Sequence, residues 1–145
     1  MGWIKDVVEK YIKKYKTNCP FELAKLLNIQ VIFWELPDEV DGMYYYTKRN
    51  KFIFINNKLA EYKQRFVCAH ELGHSDMHTK ISTPFMRSST WFSVDKIEIE
   101  ANIFAAELLI SDESLRECEN LTTEQIAALH KVPTELVELK RKGLL

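Results

Sequence analysis

Apolar residues near the start of the chain recur in pairs. Trp3, Ile4, Val7, Val8, Tyr11, Ile12 and Tyr15 fall at three- and four-residue spacing, which predicts an amphipathic helix over residues 2–16. Pro20 to Leu27 predicts a second, short helix with proline in its first turn. The period then shortens. Ile29 to Trp34, Gly42 to Tyr46 and Phe52 to Ile55 are brief and rich in β-branched and aromatic residues. Residues 37–42 and 48–51 separate them, so a small, mostly antiparallel, three-stranded sheet is expected.

The helical period returns from Leu59 to His78, where Leu59, Tyr62, Phe66, Val67, Ala69, Leu72 and Gly73 recur at three- and four-residue spacing and no proline intervenes. Asn56 and Asn57 offer a start signal for it. Residues 79–94 are polar, Ser/Thr-rich and without a clear period. They read as a mobile loop bordering a cleft, with a lid role open to it. Asp95 to Ile110 is alanine-rich and apolar, the pattern of a buried helix. Ser111 opens a short helix, Thr122 to Gln125 reads as a capping box for a helix through Leu129, and Pro133 opens a last one ending near Gly143. The fold class is α+β.

Chemistry enters with His70, Glu71, Leu72, Gly73 and His74, which read H-E-x-x-H. Four helical residues span about 400° and roughly 6 Å of rise. Both imidazoles therefore lie on one face, one turn apart, where they can share a metal ion. A catalytic zinc takes three protein ligands and keeps one position open for water, and Glu71 is placed to act on that water as general base. His78 extends the stripe, but it stands roughly 12 Å from His70 along a straight helix. One tetrahedral ion does not bridge that distance, so His78 is a helix-end or substrate-side residue. The third ligand is expected to be a carboxylate on the buried helix 95–110, where an acid without a partner is costly. Glu98 is favoured, with Asn102 one turn later placed to hydrogen-bond a ligating histidine. Glu100 is the alternative ligand. It points about 160° away from Glu98, toward what is expected to be the wetter side. Gly73 is reasonable inside this helix where another backbone packs close, and Cys68 reads as a small core residue.

Two longer stretches carry a resemblance. Arg65 to His74, reading R-F-V-C-A-H-E-L-G-H, and Glu98 to Leu109, reading E-I-E-A-N-I-F-A-A-E-L-L, resemble the paired motifs of the ImmA/IrrE family of metallopeptidases. The resemblance runs from about Pro20 to Leu139. It implies a sheet packed on a helical, zincin-like core, one Zn(2+) per chain held by His70, His74 and Glu98, and Glu71 as catalytic base. It also implies a protein substrate, a repressor of the Cro-like helix-turn-helix class. The chain departs from the family after the second motif. Ile110 and Ser111 stand where a small apolar residue and a proline are usual, a change confined to a helix end.

Composition narrows the setting. At 145 residues the chain suits one domain, 1–145, with 111–145 as a small helical subregion. A hydrophobic share of 46% with 28% charged residues is that of an ordinary water-soluble protein. A net charge of −1 argues against a nucleic-acid footprint. The last two helices echo a helix-turn-helix, but Glu135 and Glu138 make a poor face for phosphates. Three cysteines, Cys19, Cys68 and Cys118, without C-x-x-C spacing fit a reducing compartment. The amphipathic start is not a signal peptide or membrane segment, and a cytoplasmic location is expected.

The expected activity is thus that of a zinc-dependent endopeptidase, with an exposed sheet edge accepting an extended peptide beside the metal. One alternative is a metal-binding regulatory or protein-interaction module with little or no protease activity; the retained Glu71 argues against it. Another is a zinc hydrolase for a non-peptide bond, which calls for a closed pocket. No spacing identifies an oxyanion stabiliser; His78, His130 and Tyr44 to Tyr46 are candidates.

Overall fold

In the computed structural model, which describes residues 2–144, the elements run in the order α1 (Gly2–Tyr15), α2 (Pro20–Leu26), β1 (Gln30–Trp34), β2 (Val40–Thr47), β3 (Asn50–Asn56), α3 (Glu61–Met77), β4 (Thr83–Met86), α4 (Lys96–Leu109), α5 (Asp112–Glu117), α6 (Thr123–His130) and α7 (Thr134–Leu144). Met1 and Leu145, the ends of the expected 1–145 unit, lie outside the described residues. The α+β class is as expected. No helix among the described residues is long and apolar enough to cross a membrane.

The centre of the fold is α3. Every residue from Phe66 to Ser75 is buried, because β2 and β3 cover one side, α4 a second and α2 a third. Around it a continuous apolar core reaches from Ile4 on α1 to Val137 on α7. The C-terminal helices join that core through Leu136 and Val137, and Lys140 fixes them further. Its ammonium is 1% exposed and is bonded to Glu107 of α4 and Asp112 of α5.

The sheet departs from the expectation. It has four strands in the order β1-β3-β2-β4, and β1 pairs with β3 in parallel. The other two pairings are antiparallel. Strand pattern specifies which face is buried, not which neighbour a strand takes. Here β2 and β3 form a hairpin through Lys48 and Arg49, both at positive φ (48° and 65°). This left-handed pair suits a two-residue hairpin turn, though neither residue is the asparagine or glycine that normally signals one. The hairpin leaves the far side of β3 open for β1. The fourth strand comes from the segment 79–94, expected to be a loop. Thr83–Met86 adds to β2, and a short 3₁₀ turn, Arg87–Ser89, follows it. Four residues are too few to show a period.

Capping also differs at one helix. The N-cap of α3 is Ala60, with no side-chain bond, so Asn56 and Asn57 are not its start signal. Asn56 is instead fully buried and bonds the carbonyls of Leu36, Pro37 and Val40, holding the β1–β2 connection. The expected capping box is present, with Thr122 and Gln125 bonding reciprocally at the start of α6. Asp95 and Ser111 cap α4 and α5.

Two glycines set how closely these layers approach. A Cβ on Gly73 would lie 3.0 Å from Cβ of Phe104 and 3.2 Å from Cα of Ala101, so α3 and α4 meet backbone to backbone. A Cβ on Gly42 would lie 2.5 Å from Val67 Cγ1 and 2.8 Å from the Phe54 carbonyl, so β2 crosses α3 beside Glu71. Pairing between β2 and β4 slips by a residue at this point, between Val40 and Gly42, as bulges near functional sites do. Replacing Gly42 with alanine overpacks this crossing and is expected to lower stability by about 1–3 kcal/mol. A chemical-denaturation midpoint equal to the native protein's would contradict the close approach.

Candidate metal centre

The four residues of the expected site are brought to one place. α3 turns His70, Glu71 and His74 toward α4, and α4 presents Glu98 from its first turn. His70 Nε2 and His74 Nε2 are 3.1 Å apart. Glu98 closes the triangle, with Oε2 at 3.2 Å from His70 Nε2 and Oε1 at 2.8 Å from His74 Nε2. Two ligand atoms at zinc bond lengths on a tetrahedral ion stand about 3.3 Å apart. The observed triangle is close to that size.

Glu71 is the other acid within reach of the imidazoles, and His70, Glu71 and His74 form a buried cluster able to hold a metal ion. Glu71 Oε1 is 4.0 Å from His74 Nε2, beyond the about 3.3 Å of two ligands on one tetrahedral ion and farther than Glu98 Oε1, 2.8 Å from the same nitrogen. Glu98 therefore has the ligand spacing, and Glu71 flanks it.

Hydrogen bonding decides what this corner offers. His70 Nδ1 lies 2.8 Å from Asn102 Oδ1, and the Asn102 amide donates to the Thr90 carbonyl at 2.8 Å. Asn102 thus presents its oxygen to His70, so Nδ1 carries the proton and Nε2 keeps a lone pair aimed at Glu98. Both Glu71 oxygens and Glu98 Oε1 are buried without a hydrogen-bond donor; the contact from Glu98 Oε1 to His74 Nε2 is short but lacks hydrogen-bond alignment. Electron-rich atoms converge, with too few protons between them. Buried acceptors without partners are costly, and a cation is the group that satisfies all of them at once. The donor set of two imidazole nitrogens and a carboxylate suits zinc.

Burial and charge set the titration of these groups. Burial pushes the Glu71 carboxyl well above the usual carboxylate range, and the negative charge of Glu98 adds to it. Burial pushes Glu98 upward too, but protons on the facing nitrogens of His70 and His74, present when no cation is bound, hold it down to about 2. Burial lowers His70. These opposed shifts in adjacent groups are typical of functional sites.

Other candidates fall elsewhere. Glu100 is not on a wet side: it is 7% exposed and bonded to His78. The face of α4 opposite Glu98 is covered by the end of α3, which sequence periodicity alone does not reveal. His78 contacts His74 Nδ1 and Glu100, not the Nε2 corner. The Tyr44 hydroxyl donates to the Thr79 carbonyl, and His130 bonds Ser114 and the Ile126 carbonyl. Cys68 is a fully buried core residue.

Sequence reasoning missed the walls of the site. The Phe85 ring of β4 stacks on the His70 ring, centroids 3.6 Å apart and planes at 2°. Phe66 stands edge-on to His70 and stacks on Trp91. A cavity of about 710 Å³ opens beside Phe66, Val67 and Trp91 and is closed on its far side by Ala127, Val132 and Pro133. It does not include His70, Glu71 or His74 and adjoins them through Phe66. Phe85 and Trp91 lie in the segment without a period, so nothing in the sequence marked them.

Comparison with known proteins agrees with this geometry. The Peptidase_M78 family, described as the IrrE N-terminal-like domain, matches residues 24–141. An uncharacterized immunity region protein 2 of Bacillus phage phi105 is 50% identical over 139 residues, covering 94% of this chain and 88% of that protein. Metallopeptidase ImmA of Bacillus subtilis (strain 168) is 32% identical over 143 residues, covering 94% of this chain and 83% of that protein. The chain belongs to the ImmA/IrrE family of metallopeptidases.

The partnerless Glu71 predicts a stability effect in metal-free protein. Its folded pKa is raised above the unfolded value, so stability is intact below about pH 4 and is lost as pH rises toward the folded pKa. Glu71→Gln removes that loss. In chelator-treated protein at neutral pH the variant is expected to be more stable by about 1–3 kcal/mol, with the gain vanishing near pH 4. Thermal unfolding across pH checks it; a variant less stable than native at neutral pH would contradict the account.

Proposed function

We propose that the protein is a zinc-dependent endopeptidase that cuts a helix-turn-helix repressor of the Cro-like class. The observation that carries the peptidase reading is the pairing of a three-donor corner with a separate, buried, unbonded carboxyl beside it. His70, His74 and Glu98 would hold one zinc, which when bound polarises a scissile carbonyl and acidifies a water. A structural site usually takes four protein ligands and has no use for a fifth, idle acid. That weighs against a regulatory module without activity.

The chain's own residues supply the rest. Glu71 Oε1 and Oε2 lack donors, and burial makes the carboxylate a stronger base than an exposed one. It would take the proton of the attacking water and deliver it to the leaving amine. Asn102 keeps the His70 ring in place, with its lone pair toward the corner. Strand β4 is an edge of the sheet and rests on His70 through Phe85. An extended peptide paired to that edge would pass the metal corner. The cavity walled by Phe66, Trp91 and Val132 would receive a bulky apolar side chain of that peptide. An open edge with a lateral pocket suits a polypeptide better than the enclosed site a small non-peptide substrate calls for.

The repressor reading follows from the resemblance, and a relative named for a phage immunity region fits it. The unpaired Cys19, Cys68 and Cys118 fit a cytoplasmic location.

The test is incubation with a purified helix-turn-helix repressor of the Cro-like class, with and without chelator. Cleavage that chelator abolishes is expected. Glu71→Gln is expected to keep stoichiometric zinc and lose about 10²–10⁴-fold in rate. Undiminished cleavage by that variant would remove Glu71 as base. An intact repressor under all conditions would turn the reading to the regulatory module.

A further inference from the structure

We infer that His78 and Glu100 form a positioning relay that holds His74 in the one tautomer able to bind a metal. This inference rests on His74 being a ligand, as proposed above. It assigns work to a histidine and an acid that the catalytic scheme leaves unused.

The geometry is a chain of three side chains. His74 Nδ1 and His78 Nδ1 are 2.9 Å apart, and His78 Nε2 is 2.9 Å from Glu100 Oε1. All three residues are buried. His78 is the C-cap of α3, and its backbone N–H still donates to the His74 carbonyl at 2.8 Å. That last turn folds the His78 ring back onto His74 instead of along the helix axis. Glu100 comes from α4, two residues after Glu98.

With Glu100 ionised and both imidazoles neutral, the protons along the chain have one arrangement. A carboxylate is an acceptor only, so the bond to Glu100 must come from an N–H at His78 Nε2. A neutral His78 then has no proton on Nδ1, which becomes an acceptor. The bond between the two rings must therefore use the Nδ1–H of His74. Neutral His74 is left with a bare Nε2, the nitrogen that faces His70 and Glu98. Reversing the inter-ring bond would put the proton on His74 Nε2 and close the corner to a cation.

His70 is held in the same sense by a shorter device, Asn102 bonded to its Nδ1. Each imidazole of the corner is thus oriented from α4, one directly and one through His78. Ligating histidines commonly give their second N–H to a partner of this kind, and losing that partner weakens metal binding about 10–100-fold.

The experiment measures zinc affinity at fixed pH by competition with a chromophoric chelator, and the visible absorption of the cobalt-substituted protein. Both are read on the full chain, with thermal unfolding of metal-free protein as the check on folding. Glu100→Ala and His78→Phe remove the relay and are expected to weaken zinc about 10–100-fold. Glu100→Gln and His78→Gln keep an acceptor at each step and are expected to recover most of that loss. All four are expected to keep the native cobalt spectrum, because the ligand set is unchanged, whereas Glu98→Ala alters it. Native zinc affinity in Glu100→Ala and His78→Phe, with only lowered stability, would show a merely structural pair and overturn the relay. A cobalt spectrum changed by Glu100→Ala as it is by Glu98→Ala would make Glu100 a ligand and also overturn it. A native protein that binds no zinc would overturn the metal centre and the relay together.

Discussion

A buried corner with more lone pairs than protons is the constraint on which this structure depends. His70 and His74 direct ring nitrogens into it, Glu98 adds two oxygens, and Glu71 adds two more with no donor. Left alone, such a corner opposes folding, since buried charge without a partner is among the costliest features a protein can hold. It persists because the surrounding layers leave these side chains little freedom. Phe85 lies flat on His70, Asn102 fixes its outer nitrogen, and α3 and α4 touch at Gly73 with no space for the corner to spread.

The same constraint explains how the fold divides its labour. One side of α3 is covered by the sheet and the other by α4, so the turn carrying His70 and His74 is buried, while Glu98 stays 16% exposed and the edge strand β4 lies at the rim. The C-terminal helices lie outside this sandwich. They are tied to α4 by Lys140, which is buried between Glu107 and Asp112. They also wall the far side of the cavity beside Phe66. A segment that looks peripheral in sequence therefore borders the path a substrate side chain would take.

How much of this was legible depended on whether the signal was local. His70, Glu71 and His74 share a helix, and their spacing alone places two imidazoles on one face. Glu98 and Asn102 are also one turn apart, so their common face was readable, and the structure brings both to His70. The capping box at Thr122 was readable for the same reason. Glu100 was misjudged because helical periodicity describes directions, not neighbours. The end of α3 covers the side on which it lies. The parallel partner of β1 and the strand at Thr83–Met86 were equally invisible, since both are defined by residues distant in sequence. Asn56 shows the limit from another direction. It has the identity of a helix cap and spends its bonds on a loop instead.

The most direct test of the central claim is anomalous scattering at the zinc edge from crystals of the zinc-loaded protein. One peak per chain is expected, about 2.0–2.2 Å from His70 Nε2, His74 Nε2 and a Glu98 oxygen, with Glu71 outside bonding distance. No peak at that corner, or a peak ligated by Glu71 or Glu100 in place of Glu98, would contradict it.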